Sequence, residues 1–338
     1  PWSPESPDLY EVEVVVNDDA IQSYFAMRKY SIIEFKGKSV FALNNKPYFL
    51  NGVLDQGYWP ESGLTPPSDE AMVFDIQAMK ELGFNMLRKH IKVEPMRWYY
   101  HCDRLGMIVI QDFVNAGSPY KAFLINTCPF IRWKINDTIP RKQAYLGRGN
   151  PASREFFEKE MEPFVDRLFN VPCIAIWTLF NEGWGQFDSA RLTEKLRQLD
   201  NSRLIDSTSG WFDQGAGDFN SRHIYFREPK AKSDGKRILA ITESGGYVYP
   251  VANHLSGSGK GIHYGGVKSS EELTKRYQNT ILRTLHPMIE SEGLSVAVYT
   301  QLSDVEEESN GLLTYDREIC KVDKKAVAEA NGRLKFKL

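Results

Sequence analysis

The sequence predicts an α/β protein, a (β/α)8 TIM barrel preceded by a few strands of a truncated β-sandwich. Three observations predict it. From about residue 35 onward, apolar stretches of strand length alternate with segments of helical period. The strand candidates end on polar or charged residues, as parallel strands do where they open onto a functional face. The first 34 residues, in contrast, are strand-rich and lack helical period.

Taken in order, Leu9 to Val16 is rich in β-branched residues and predicts a strand; Asn17-Asp18-Asp19 supplies turn chemistry, and Ser23 to Ile33 predicts a further strand. So few strands cannot make a sandwich alone. Residues 1–34 are therefore expected to close a partial β domain, and residues 35–338 to form the barrel. Lys46 to Gly52 predicts the first barrel strand. Ser68 is a natural N-cap, with Asp69 and Glu70 at the positive end of a helix whose Met72, Ile76 and Met79 share one face before Leu82-Gly83 ends it. Phe84 to His90 predicts the second strand. A helix from Pro95 to Leu105-Gly106 leads to a strand at Met107 to Ile110, running into Gln111-Asp112. A helix over Ser153 to Phe169 leads to Cys173–Phe180, which runs into Asn181-Glu182.

Arg203 to Ser207, Ser221 to Phe226, Arg237 to Ile241 and Leu294 to Gln301 complete eight strands, with helices at Glu271–Glu290 and Lys324–Gly332. Ser209 to Asn220 carries three glycines and little helical period, which predicts a lost or reduced helix. Eight parallel strands close without edges. An open doubly wound sheet would advertise a Gly-rich loop after its first strand, and no G-x-G-x-x-G occurs there.

Composition narrows the function. With 42% apolar residues the chain can bury a sizeable core. The 42 basic and 44 acidic side chains nearly cancel, which offers no basic surface for nucleic acid. No apolar run reaches the roughly 20 residues of a membrane span. Cys102, Cys128, Cys173 and Cys320 form no C-x-x-C pair, and His90, His223 and His263 show no H-x-H or H-E-x-x-H spacing, so no metal is expected. Cys173, inside an apolar strand, reads as a buried small hydrophobe.

The strand ends carry the chemistry: Asn51, Arg88, His90, Asp112, Asn181, Glu182, His223, Tyr225, Glu243, Gln301 and Asp304. Glu182 and Glu243 stand out, because each follows an apolar strand and precedes a Gly-containing loop, on the fourth and seventh strands. Paired carboxylates across a cleft suit glycosidic cleavage, in which one donates a proton to the leaving oxygen and the other attacks the anomeric carbon. Trp59, Trp133, Trp184 and Trp211 lie in or near predicted loops, where they would stack on sugar faces or simply pack.

These motifs together resemble glycoside hydrolase family 2. The opening Pro1-Trp2-Ser3-Pro4-Glu5-Ser6-Pro7-Asp8-Leu9-Tyr10 resembles the family's signature before the last strands of its immunoglobulin-like domain. Asn51-Gly52 and Gly83-Phe84-Asn85-Met86-Leu87-Arg88 resemble its first two barrel strand ends. Thr178-Leu179-Phe180-Asn181-Glu182-Gly183-Trp184 is similar to its acid/base motif, and Thr242-Glu243-Ser244-Gly245-Gly246 to its nucleophile motif, with Ser244 where an aromatic is commoner. Tyr299 to Glu306 resembles the eighth strand.

The resemblance implies a retaining glycosidase acting on terminal β-linked sugars, with Glu182 as acid/base and Glu243 as nucleophile, and no cofactor. It implies that Asn181 contacts the sugar 2-hydroxyl, that Arg88 orients Glu243 and that Tyr225 sits against it. His223, Asp55, Trp184, Asp112 and Gln301 stand as further substrate-binding candidates. A carbohydrate is the expected partner, together with the family's N-terminal sugar-binding domain, which this chain lacks. The loop Leu54 to Pro60 departs from the histidine-rich loop of the well-known β-galactosidases, which leaves the sugar open. Two alternatives remain at this point. One is a catalytically silent carbohydrate-binding relative or inactive fragment. The other is a lyase or aldolase, for which Lys89 would be the strand-end lysine.

Overall fold

The computed structural model describes residues 1–115, 117–121, 123, 127, 134–257 and 265–337. Trp133, Cys128 and His263 lie outside them. The chain begins with a two-stranded antiparallel ribbon, β1 (Tyr10–Val16) and β2 (Asp19–Phe25). A three-stranded antiparallel sheet follows: β3 (Tyr30–Phe35), β4 (Lys38–Leu43) and β5 (Lys46–Pro47). The single strand expected over Ser23 to Ile33 is thus split, and pairing breaks between Phe25 and Tyr30. Because β3 pairs with β4, its partners lie on the barrel side of residue 34.

The barrel strands are β6 (Leu50–Asp55), β7 (Met86–Lys89), β8 (Ile108–Asp112), β9 (Ile174–Asn181), β10 (Leu204–Ser209), β11 (Phe219–Ile224), β12 (Ile238–Gly245) and β13 (Leu294–Thr300). Each lies within a residue or a few of its predicted position. Helices α1 (Asp69–Glu81), α2 (Met96–Leu105), α3 (Pro140–Tyr145), α4 (Pro151–Leu168), α5 (Ser189–Leu199), α6 (Ser270–Asn279), α7 (His286–Glu292) and α8 (Lys324–Asn331) intervene, with a π-helical turn (Thr280–Leu285) joining α6 to α7. The Ser68 hydroxyl accepts from Ala71 N–H and starts α1 as expected. The sequence reading missed α5, although Leu192, Leu196 and Leu199 recur on one helical face.

The eight strands form one parallel ladder in the order β10-β9-β8-β7-β6-β13-β12-β11. The chain therefore folds as a (β/α)8 barrel, with one seam between β10 and β11 that has no strand ladder. Neither β10 nor β11 is followed by a helix, which matches the glycine-rich stretch after Ser209. Side chains and single bonds close the seam instead. Asp218 N–H donates to Ile205 O and Ile205 N–H to Asp218 Oδ2, each at 2.8 Å. Gly217 makes this crossing possible: its φ is +76°, and a Cβ there would sit 2.7 Å from Ile205 O.

Strands buried on both faces explain the unbroken apolar run of β9, every residue of which is buried. An aromatic cluster of Phe113, Phe157, Phe164, Trp177, Phe180 and Phe187 cements α4 to the wall. Cys102 and Cys173 are buried free thiols. No helix among the described residues is long and apolar enough to cross a membrane.

The opening segment is docked under the barrel. Trp2 is fully buried; its Nε1–H donates to Asp103 O at 2.7 Å and its backbone N–H to Met27 O at 2.8 Å. Tyr30 Oη donates to Pro172 O at 2.9 Å, at the foot of β9. The ribbon beyond it leaves Val14, Val15, Val16 and Ile21 exposed. Trp2→Ala is expected to destabilise the chain by roughly 3–5 kcal/mol, the range for emptying a buried aromatic site. A loss below about 1 kcal/mol in urea unfolding would show that this segment is not part of the folded unit.

Candidate active site

The site stands at the C-terminal mouth of the barrel, and Arg88 on β7 is its centre. The guanidinium is fully buried. Nε and Nη2 donate to the two oxygens of Asp112 at 3.1 and 3.0 Å, and Nη2 also donates to Asn181 Oδ1 at 2.7 Å. Nη1 donates to Thr242 O at 3.1 Å and to Glu243 Oε1 at 3.0 Å. These residues belong to four strands, so one cation fixes four strand ends together. Burial works against its charge, but Asp112 and Glu243 hold its proton more tightly than usual.

Glu243 is nearly buried and is gripped from its other side by Tyr225 Oη, which donates to Oε2 at 2.6 Å. Glu182 lies just past β9. Its φ is +51°, a conformation L-residues seldom adopt, and its N–H donates to Ser209 O at 3.0 Å. This turn aims the side chain back over the mouth, where it stays 25% exposed. Burial raises the Glu182 carboxyl to about 7, against the downward pull of His90 and Arg88.

His223 joins the two acids. Its Nδ1 lies 2.9 Å from Glu182 Oε1 and 3.4 Å from Glu243 Oε2, while Nε2 contacts Ser209 Oγ at 2.9 Å. Burial pushes the imidazole down to about 3, with Glu243 opposing and Arg88 reinforcing, so the ring is neutral at ordinary pH. One oxygen of Glu182, one nitrogen of His223 and one oxygen of Glu243 all lie within 4.8 Å of one another. Such a triplet also has the donor types of a cation site; here its closest contact is the 2.9 Å imidazole–carboxylate bond.

A scan of family models matches residues 33–294 to "Glycosyl hydrolases family 2, TIM barrel domain". The chain belongs to glycosyl hydrolase family 2. The family 2 relatives include a β-galactosidase of Leuconostoc mesenteroides, 26% identical over 219 residues that make up 64% of this chain and 19% of that protein. A putative β-glucuronidase of Formosa agariphila is 24% identical over 215 residues, 62% of this chain and 18% of that protein. The chain thus spans about a fifth of the length of these curated relatives. Among solved structures, a β-D-glucuronidase from Dictyoglomus thermophilum superposes with a TM-score of 0.70 at 16% identity, covering 98% of this chain and 58% of that one. A family 2 β-galacturonidase from Eisenbergiella tayi gives 0.68 at 18% identity, over 98% and 59%. At these identities the superpositions speak for the fold.

Several of the substrate-binding candidates have polar atoms engaged by other groups of the protein. Asp55 is buried beneath the mouth, where Lys89 Nζ donates to it at 2.6 Å and Gly57 N–H at 2.8 Å. Asp112 is 1% exposed and occupied by Arg88 and by His90 Nδ1 at 3.0 Å. Gln301, also 1% exposed, bonds Gln56, Glu308 and Asn310. These three are supports for the mouth; polar residues at strand ends look alike in sequence whether they face a ligand or each other. Asp304 is buried, and Lys321 Nζ donates to its Oδ1 at 2.6 Å. Lys89 is locked between Asp55 and Glu94 with its proton held more tightly than usual, the reverse of what a Schiff-base lysine needs. Trp59 is buried under Arg317, whereas Trp184 and Trp211 are partly exposed near the mouth, Trp211 with its ring centre 6.3 Å from that of His223. Ser209, Thr242 and Asp206 went unnoticed; the signal was a run of polar residues, Asp206 to Ser209, inside a fully buried strand.

The raised Glu182 carboxyl carries a stability cost with a definite sign. A carboxyl held above its ordinary value of 4.5 contributes stability below that pH, and loses it as pH rises through about 7. Glu182→Gln is therefore expected to match the parent in unfolding free energy near pH 4.5 and to exceed it at about pH 8 by roughly 1–3 kcal/mol. A pH-independent difference would show that burial does not perturb Glu182.

Proposed function

We propose that this chain is the catalytic barrel of a retaining β-glycosidase that removes terminal β-linked sugars. The carrying observation is the closeness of the two acids, whose oxygens lie within 4.8 Å of each other at the barrel mouth. Retaining enzymes place their carboxyl groups about 5–5.5 Å apart, while inverting enzymes need about 6.5–9.5 Å to admit a water. The assignment of roles follows from surroundings. Glu182, held near neutrality, is suited to give a proton and take one back. Glu243, fixed by Arg88 and Tyr225, presents Oε2 toward the same space.

In the first step Glu243 attacks the anomeric carbon as the leaving oxygen takes the Glu182 proton, giving a glycosyl ester. In the second, Glu182 removes a proton from water, the water attacks the anomeric carbon and Glu243 is released. Asn181, whose Oδ1 is turned to Arg88, has its amide hydrogens to offer the sugar 2-hydroxyl. Trp184, stacked edge-on to Tyr120 at 6.0 Å, supplies an aromatic rim. We further propose that residues 1–34 end an immunoglobulin-like domain, and that a sugar-binding domain of the same polypeptide completes the pocket. Relatives named as β-galactosidase and β-glucuronidase set the aryl glycosides to screen.

In the full-length protein, Glu243→Gln is expected to abolish turnover of every aryl glycoside. Glu182→Ala should spare the first step for substrates with good leaving groups, and azide should restore product as a β-glycosyl azide. Equal losses on activated and unactivated substrates without azide rescue would remove Glu182 from the acid role. The kcat/KM of the parent should fall above about pH 7 as Glu182 loses its proton.

A further inference from the structure

A buried chain of hydroxyl groups runs from the catalytic pair into the barrel wall and across its seam. It leads from His223 Nε2 to Ser209 Oγ at 2.9 Å, to Thr242 Oγ1 at 2.8 Å, to Ser221 Oγ at 2.6 Å, and ends on Asp206 Oδ2 at 2.8 Å. Ser209, Thr242, Ser221 and Asp206 are all buried. Contacts this short, away from water, each require a proton between the two heavy atoms.

The proton count decides which way the chain points. Nδ1 of His223 faces oxygens of Glu182 and Glu243, whereas Nε2 faces Arg88 Nη1 at 3.4 Å. When Glu182 is ionised, carboxylates on one side and a cation on the other place the ring proton on Nδ1 and leave Nε2 an acceptor. Ser209 must then donate to Nε2, Thr242 to Ser209 and Ser221 to Thr242. Each hydroxyl has then spent its one proton, so only Asp206 can fill the last contact; with Glu182 protonated the chain runs the opposite way, Ser209 donating to Thr242 and Ser221 to Asp206. We propose that Asp206 and Glu182 share one proton through this chain, Asp206 holding it whenever Glu182 is ionised. Asp206 is a positioning residue for the acid/base and does not touch substrate.

The transfer balances. Asp206 gives its proton to Ser221, Ser221 gives its own to Thr242, Thr242 to Ser209, and Ser209 to His223 Nε2, while Nδ1 releases its proton to Glu182. The imidazole changes tautomer and never becomes a cation; the negative charge moves from Glu182 to Asp206. With one proton held between the two acids all five contacts are filled. With none, one contact goes without a donor, so the shared proton is hard to remove.

The surroundings of Asp206 agree. Its Oδ1 has no hydrogen-bond partner among the described residues, which an ionised carboxylate tolerates badly. The charged groups that act on it are Arg88 on β7, Asp112 on β8 and Asp213 after β10, while its neighbour across the β9 ladder is the neutral Thr178. Burial raises Asp206 to about 7; Ser221 and Arg88 lower it, and Asp112 and Asp213 add to the rise.

The catalytic meaning rests on the glycosidase reading, but the test does not. Infrared spectra of the folded chain at about pH 6 should show a buried protonated carboxyl whose band changes in both Glu182→Gln and Asp206→Asn. A carboxyl 13C titration should show Glu182 binding its proton roughly tenfold more weakly in Asp206→Asn and in the isosteric Thr242→Val, with Thr242→Ser restoring it. If Thr242→Val does not fold, Ser221→Ala cuts the chain one link nearer Asp206. A carboxyl band indifferent to Asp206→Asn, or a Glu182 titration indifferent to the cut, overturns the proposal. If both signatures hold while the full-length protein cleaves no aryl glycoside, the relay stands and the glycosidase reading fails. If it does cleave them, the alkaline limb of kcat/KM should move to lower pH in the cut variants.

Discussion

The site depends on one buried cation. Arg88 satisfies Asp112 with a two-pronged contact and reaches Asn181, Glu243 and the Thr242 carbonyl with what remains of its donors. A guanidinium taken out of water this completely is expensive unless every donor is met, and removing any acceptor would leave a charge unpaired. The arrangement therefore has little room to drift. Its rigidity is also what lets two acids be held so close together, because Glu243 is tied to a positive group while Glu182 is not. Environment separates two chemically identical side chains into different roles.

His223 is the second element of that separation. It offers a single neutral N–H to a space bounded by two carboxylates, and its other nitrogen is occupied from behind by Ser209. An imidazole that cannot charge is a spacer and a donor without being a competing acid. The polar residues behind it are consistent with a barrel interior that is dry but hydrogen-bonded, a costly way to fill a core unless the network is complete.

Much of this was legible in the sequence. The eight strands, their order of appearance and the helix caps at Ser68 and after Leu105 follow from period and turn chemistry, which act over a few residues. Glu182 and Glu243 were identifiable because each ends an apolar strand beside glycines. What sequence could not show was the partner each polar strand end meets: Asp55 meets Lys89, Gln301 meets Gln56, Glu308 and Asn310, and Asp112 and Asn181 both meet Arg88. The break between β2 and β3 escaped for a related reason, since Ala26 to Lys29 contains no turn residue and the strand ends there through its docking beside Trp2. Asp206 was passed over because the polar run Asp206 to Ser209 shows no partner until Ser221 is brought across from the next strand.

The seam between β10 and β11 has a consequence for the geometry of the reaction centre. Glu182 follows β9 and Glu243 stands on β12, so the short way round the barrel from one to the other runs through β10 and β11 and crosses the gap where no ladder exists. Over that arc the wall is held by a few side-chain links, Asp218 to Ile205 and Ser221 to Asp206. The rest of the circumference is held by backbone ladders, whereas this arc depends on single bonds and side chains, Ser209 to His223 at the mouth among them.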